Sequence, residues 1–228
     1  MFFPCISPRA QKAVSATEKY AKILDANTRL LADKDQLLIV FSKNDTMNKA
    51  VLAAFEKKNG YWQVHFNPVA ASIGKKGFAD QGMKIEGDHK SPSGLFSLGQ
   101  LFSYESTVKT GLPFITSTEE DKWIDDPESP DYNTYVRGKT KARSFEHLLL
   151  KSIDYKYCMV IEYNTQPVVK GKGSAIFFHL ADPVYTPTEG CIAVNEKDML
   201  RILQWLQPGR KKAILMGTEK TLMSGFEK

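Results

Sequence analysis

Two residues in the C-terminal third, His179 and Cys191, have the types and spacing from which an activated nucleophile could be built. A free thiol titrates near pH ~8.5 and is only slightly ionised at neutral pH, so cysteine chemistry needs a base or a positive charge beside it. The stretch GSAIFFHLADPVYTPTEGCIAV, residues 173–194, supplies such a base. Residues 174–180 read as a short buried strand, residues 191–194 as another, and residues 181–190 as the loop that joins them. Side chains alternate faces along a strand, so His179 shares a face with Phe177 and Ala175, and Cys191 shares one with Ala193. If the two strands lie side by side, the imidazole and the thiol can meet. The plainer reading of His179 is a core histidine bonded to backbone. Against it stands the apolar run around His179, where a titratable group adds nothing to packing. Gly190 permits a close backbone approach just before Cys191, and N–H groups around a Gly-Cys turn suit a developing oxyanion.

The other candidates are weaker. The three cysteines are Cys5, Cys158 and Cys191. An odd, sparse set argues against a disulfide framework, and no CxxC or His/Cys ligand spacing suggests a metal. Cys158 sits in the apolar run 157–161 and reads as core; Cys5 lies in a Pro-flanked N-terminal segment and reads as incidental. His65, His89 and His147 have no comparable setting. His89 falls in a turn and His147 is expected on a surface helix.

The elements that must position the pair follow from periodicity. Ala13, Ala16, Tyr20, Ile23, Leu24 and Leu30 predict a helix over residues 8–31. Residues 36–41 predict a strand. Asp45 or Thr46 is expected to cap a short helix through Val51, Leu52 and Phe55, ended by Asn59-Gly60. Residues 61–66 alternate as a strand, with Trp62, Val64 and Phe66 on one face. After a glycine-punctuated loop region, GDHKSPSGLF at residues 87–96 reads as a structural hairpin corner entering a strand at Leu95. Residues 123–133 are irregular and rich in aromatic and polar groups, fit to line a cleft or cover the core. A strand is expected over 156–163. Asn195 is a good N-cap, with Asp198 three residues on, for a helix through Met199, Leu200, Ile202, Leu203 and Leu206 that Pro208-Gly209 stops. Residues 213–216 predict a last strand. The division expected is an N-terminal helical extension, residues 1–34, before a mainly β domain, residues 35–228.

Composition narrows the function classes. The chain has 228 residues, 42% apolar and 11% aromatic, enough for a filled core. The net charge of +5 favours an anionic partner only weakly, because the basic residues are scattered. No basic run interleaved with aromatics suggests nucleic acid, so no nucleic-acid partner is expected. No apolar run approaches the ~18 residues of a membrane span. The opening MFFPCISPRA lacks the basic n-region and long h-region of a signal peptide.

On these residues a resemblance stands out. The run from His179 through Thr188-Glu189-Gly190-Cys191 resembles the signature of the L,D-transpeptidase catalytic domain family, the YkuD-like family: a His, a spacer, then Ser/Thr-His-Gly-Cys. Residues 88–96 are similar to that family's Gly-Asp-x-x-Thr-Pro-x-Gly-x-Phe segment. The region 123–133, Tyr163-Asn164 and residues 173–177 look like one bacterial branch of it. The similarity extends over most of residues 37–216. It implies a mainly β fold, a β-sandwich of mixed sheets with a few peripheral α-helices, and acyl transfer on peptidoglycan stem peptides in the bacterial envelope, periplasm or cell-wall space. By the same resemblance Cys191 is the nucleophile, His179 its general base and acid, and Gly190 shapes the turn. Thr188, Tyr163, Asn164 and Glu189 are the candidate substrate-binding residues. No cofactor, no metal and no particular oligomeric state is implied.

The chain departs from the pattern in three places. Glu189 stands where the family usually has His, which sets a carboxylate beside the nucleophile; close to the thiol it would raise the thiol pKa unless it orients His179 instead. Ala193 replaces a polar residue, and the His-to-Cys spacer is short. Two alternatives therefore stay beside transpeptidation. One is hydrolysis of the same peptides, as an L,D-carboxypeptidase or amidase. The other is a catalytically silent peptidoglycan-binding domain.

Overall fold

The computed structural model describes residues 18–43, 48–181 and 183–226. Its organising strand is β1 (Gln36–Ser42), buried along its whole length. Leu38 and Val40 face one core cluster while Leu37, Ile39 and Phe41 face another, as befits a strand covered on both sides. It runs parallel to β12 (Lys212–Thr218) and antiparallel to β2 (Lys49–Lys58).

β2 turns back at Asn59-Gly60 into β3 (Tyr61–Ser72), and both turn residues have positive φ, 51° and 83°. That is the two-residue hairpin turn whose twist matches the flanking strands. The short helix expected through Val51, Leu52 and Phe55 is therefore a strand, with Phe55 paired to Val64. The spacing of those residues suited either element, and the hairpin turn decides it. Asp45 and Thr46 lie outside the described residues, as do Cys5 and the first part of the helix expected from residue 8.

From β3 the pairing passes to β11 (Ile192–Val194), β10 (Phe177–Leu180), β9 (Tyr157–Ile161) and β4 (Gly94–Ser103), with β5 (Phe114–Thr116) added at β4. β4 then pairs back to β12. It serves two neighbours by pairing first with β12 through Gly94–Ser97 and then with β9, with a register shift between Leu98 and Leu101. The resemblance implies a sandwich; the pairing instead runs round as one mixed sheet, closed and barrel-like. A second, three-stranded sheet stands apart: β6 (Asp121–Ile124), β7 (Tyr135–Arg137) and β8 (Phe145–His147). His147 ends β8 opposite Lys122, so it lies on a strand and not on a surface helix.

Three clusters fill the molecule. The inward face of the closed sheet packs around α2 (Glu196–Trp205) through Met199, Ile202 and Leu203. Asn195 caps α2 as expected, its side chain accepting from the Asp198 N–H. The outer face of β1, β2 and β12 is covered by α1 (residues 18–26) and α3 (Glu219–Ser224), through Tyr20, Ile23 and Leu222. α1 ends before the expected residue 31. Buried Asn27 donates to the Ile23 and Leu222 carbonyls, so its amide ties the two helices together where the first one stops. The third cluster lies on the outer face of β4, β9 and β10, under Trp123, Leu148 and Tyr155, and it contains Cys191. Among the described residues no helix is long and apolar enough to cross a membrane.

Candidate active site

β10 and β11 are parallel neighbours, with Phe178 opposite Ile192 and His179 opposite Ala193. Cys191, one residue before β11, therefore sits level with Phe177, whose N–H donates to its Sγ at 3.3 Å. Phe178 and Ile192 point into the inner core, while Phe177 and Cys191 point into the outer cluster. The alternation that separates those pairs puts His179 on the Cys191 side. Both residues line one cavity of about 410 Å³.

The strand expected from residue 174 begins only at Phe177. Ala175 lies in the left-handed region, φ 51°, which costs an L-residue roughly 1–2 kcal/mol and takes residues 174 and 175 out of the ladder, while the Ile176 carbonyl still accepts the Ile161 N–H at 3.0 Å. Its N–H donates to Asn133 Oδ1 at 3.1 Å, and its carbonyl accepts the Cys191 thiol at 3.3 Å. Asn133 is a buried hub. It also accepts from Trp123 Nε1 and donates to the carbonyls of Tyr163 and Asn164. A side chain within residues 123–133 thus holds in place the backbone that holds the thiol.

The His179 ring donates Nδ1–H to the Leu180 carbonyl at 2.8 Å, which leaves Nε2 as the acceptor. Its edge rests on the Tyr155 ring. Burial holds the imidazole below its ordinary pKa, against the Leu180 carbonyl and Asp154, which raise it. Burial pushes the Cys191 thiol up to about 12; the Phe177 N–H and the more distant Lys84 lower it, and Glu146 raises it. The resting pair is a neutral thiol bonded to Ala175 and a neutral imidazole.

The turn before Cys191 is braced from both sides. Thr188 Oγ1 donates to the Cys191 carbonyl at 2.7 Å and accepts the Gly190 N–H at 3.2 Å. That N–H is thereby engaged within the turn. Ser91 Oγ donates to the Gly190 carbonyl at 2.7 Å and accepts the Gly74 N–H at 2.9 Å. Gly190 has φ 151°, and a Cβ there would lie 2.9 Å from the Lys90 carbonyl oxygen. The 87–96 segment is therefore more than a corner: its backbone and Ser91 are the bed on which the cysteine turn rests. Glu189 turns outward into an ion pair with Lys75 and a hydrogen bond with His89 Nδ1, and the Lys75 bond holds its carboxyl below the usual range. It neither crowds the thiol nor orients His179. His89, at its expected place in a turn, lines the cavity together with Thr188 and Glu189.

Tyr163 and Asn164 are not among the residues that line the cavity. Tyr163 Oη donates to the Lys172 carbonyl, and Asn164 Nδ2 donates to the carbonyls of Val169 and Gly173. They shape the loop leading into Ser174, a structural placement for residues expected to bind substrate. The cavity wall instead includes Lys84, Glu86, Glu146, Asp154 and Tyr155. Burial and Asp125 raise the Glu146 carboxyl, while Tyr155 hydrogen-bonds it. These groups come from separate loops and strand ends, so no local spacing marked them; Asn133, like Ser91 and His89, falls in a stretch whose composition stands out.

Residues 33–215 match the family model of the L,D-transpeptidase catalytic domain, YkuD. The chain belongs to that family. Among solved structures, the family member described here is similar to the helical cell shape determining protein Pgp2 (K307A mutant) from Campylobacter jejuni. Identity is 18% and the TM-score 0.41, over 90% of this chain and 59% of that one. The chain thus spans about 59% of that protein's length. No curated protein matches it.

Proposed function

We propose that this L,D-transpeptidase-family domain carries out cysteine-dependent acyl transfer on peptidoglycan stem peptides in the bacterial envelope. The observation that carries the reading is that Cys191 and His179 share one sheet face and one cavity, inside the matched region. Cys191 Sγ attacks the carbonyl of the L-residue in an L,D bond. Its proton passes to His179 Nε2, the ring nitrogen left free by the Leu180 bond. The tetrahedral intermediate collapses to a thioester as the bond to nitrogen breaks, and His179 protonates the departing amine of the terminal D-residue. An acceptor amine then takes the acyl group and restores the thiol; if water takes it, the outcome is L,D-carboxypeptidase activity.

The resting thiol donates to Ala175 and is held protonated by burial, so substrate entry must break that bond before Cys191 turns to the imidazole. Thr188, Ser91 and Gly190 keep the turn in shape during this step. Incubation with tetrapeptide muropeptides, followed by mass spectrometry, tests the reading. Cross-linked or exchanged products are expected. Loss of the terminal D-residue alone assigns the enzyme to hydrolysis, and no turnover overturns the proposal.

A further inference from the structure

One charged group on the cavity wall has no part in the chemistry above. Lys84 has a side chain only 4% exposed, yet it lines the same cavity as Cys191. Burying an ammonium is costly unless its charge and its donors are matched. Its Nζ donates to Asp88 Oδ1 at 2.7 Å, and Asp88 is itself held by the backbone N–H groups of Lys90 and Ile85. Asp88 does not line the cavity, so the ion pair stands behind the ammonium and fixes its position. An ammonium carries more donors than Asp88 uses.

Two glycines make room for this side chain. A Cβ on Gly173, which has φ 100°, would lie 2.9 Å from Lys84 Cε. A Cβ on Gly190 would lie 3.5 Å from Lys84 Nζ. The ammonium is therefore packed against the residue that immediately precedes the nucleophile. Glu86, the nearby acid on the wall, is already engaged by Tyr132 and Ser174.

We infer that Lys84 is the carboxylate-binding group of the site, its remaining N–H bonds taking the α-carboxylate of the terminal D-residue that leaves. The inference rests on the peptide substrate proposed above. In such a peptide only the amide nitrogen and one Cα separate the scissile carbonyl from the terminal carboxylate. A seat for that anion must then lie close to Cys191, where the cation is. Recognition of this kind selects peptides that end at the residue after the scissile bond over peptides extended beyond it.

The test uses binding to the Cys191→Ala protein, so it does not depend on turnover. The probes are a tetrapeptide stem ending in D-alanine and its C-terminal amide. The acid is expected to bind about 10- to 100-fold more tightly than the amide, the range of a charge-assisted hydrogen bond. Adding Lys84→Met should bring the acid down to the level of the amide and leave the amide unchanged. If that variant does not fold, Lys84→Met with Asp88→Asn removes both charges together and keeps the same comparison. Equal binding of acid and amide with Lys84 intact, or equal weakening of both on its loss, overturns the inference. If muropeptide turnover is normal in either case, the proposed function survives. Binding of neither peptide overturns both.

Discussion

Cys158 and Cys191 belong to the same apolar cluster, and burial raises the pKa of both thiols. Their surroundings differ in what the backbone does. Cys158 lies within β9, opposite Phe102, with buried residues on either side. Cys191 stands just outside β11, after a glycine, between an N–H from Phe177 and a carbonyl from Ala175, and it faces a cavity. The continuous strand encloses its sulfur, while the interrupted one presents its sulfur to whatever enters. Burial alone therefore does not separate an enclosed thiol from one that faces a cavity; the end of the ladder does.

The largest expected effect breaks that comparison directly. Cys191→Ala should reduce product formation from muropeptides by more than about 10³-fold, because the proposed reaction passes through a thioester on Cys191. Cys158→Ala should leave the rate within a few-fold and instead lower stability by about 1–2 kcal/mol, read as a shift in the urea midpoint. His179→Ala should slow the reaction about 10²- to 10⁴-fold with little change in melting temperature, and an unchanged rate would remove it as the base.

Solvent pH sharpens the contrast further. With its pKa near 12, Cys191 should react with iodoacetamide more slowly than a free thiol at about pH 8, faster as pH rises, and ahead of Cys158 throughout; peptide mapping reads this out. The raised pKa also bears on folding. An unfolded thiol ionises near pH ~8.5, so the stability gained by keeping Cys191 protonated is complete below that pH. It is lost as pH rises through the folded value of about 12. Urea unfolding at rising pH should show the decline, and Cys191→Ala should show less of it.

Smaller effects come from the supports of the turn. Ser91→Ala removes a buried hydroxyl that bonds Gly190 and Gly74 and should cost about 1–3 kcal/mol, with a loss of rate as the turn loosens. Lys75→Ala breaks only the exposed pair with Glu189, and its effect on the thermal midpoint should correspond to less than about 1 kcal/mol.

Much of this was readable along the chain wherever one segment carries its own period or cap. β1, α2 with its Asn195 cap, and the alternation that sets His179 apart from Phe178 needed no tertiary information. The helix expected through Val51, Leu52 and Phe55 shows the limit of local pattern, because its apolar spacing fits two periods and only strand pairing chooses between them. Tyr163 and Asn164 show another limit: a motif can mark residues without saying whether their side chains face the cavity or hold a loop.

The sequence by itself therefore determined which side of its strand Cys191 and His179 each occupy, since alternation is a local property of extended chain. The tertiary structure decided the rest. It set β10 parallel to β11, turned Glu189 away from the thiol, and brought Asn133 beneath Ala175. It also placed Lys84 beside Gly190, from more than a hundred residues away in the chain. These placements depend on where hydrogen bonds close between distant segments once the sheet joins β4 to β12. No local spacing encodes that closure.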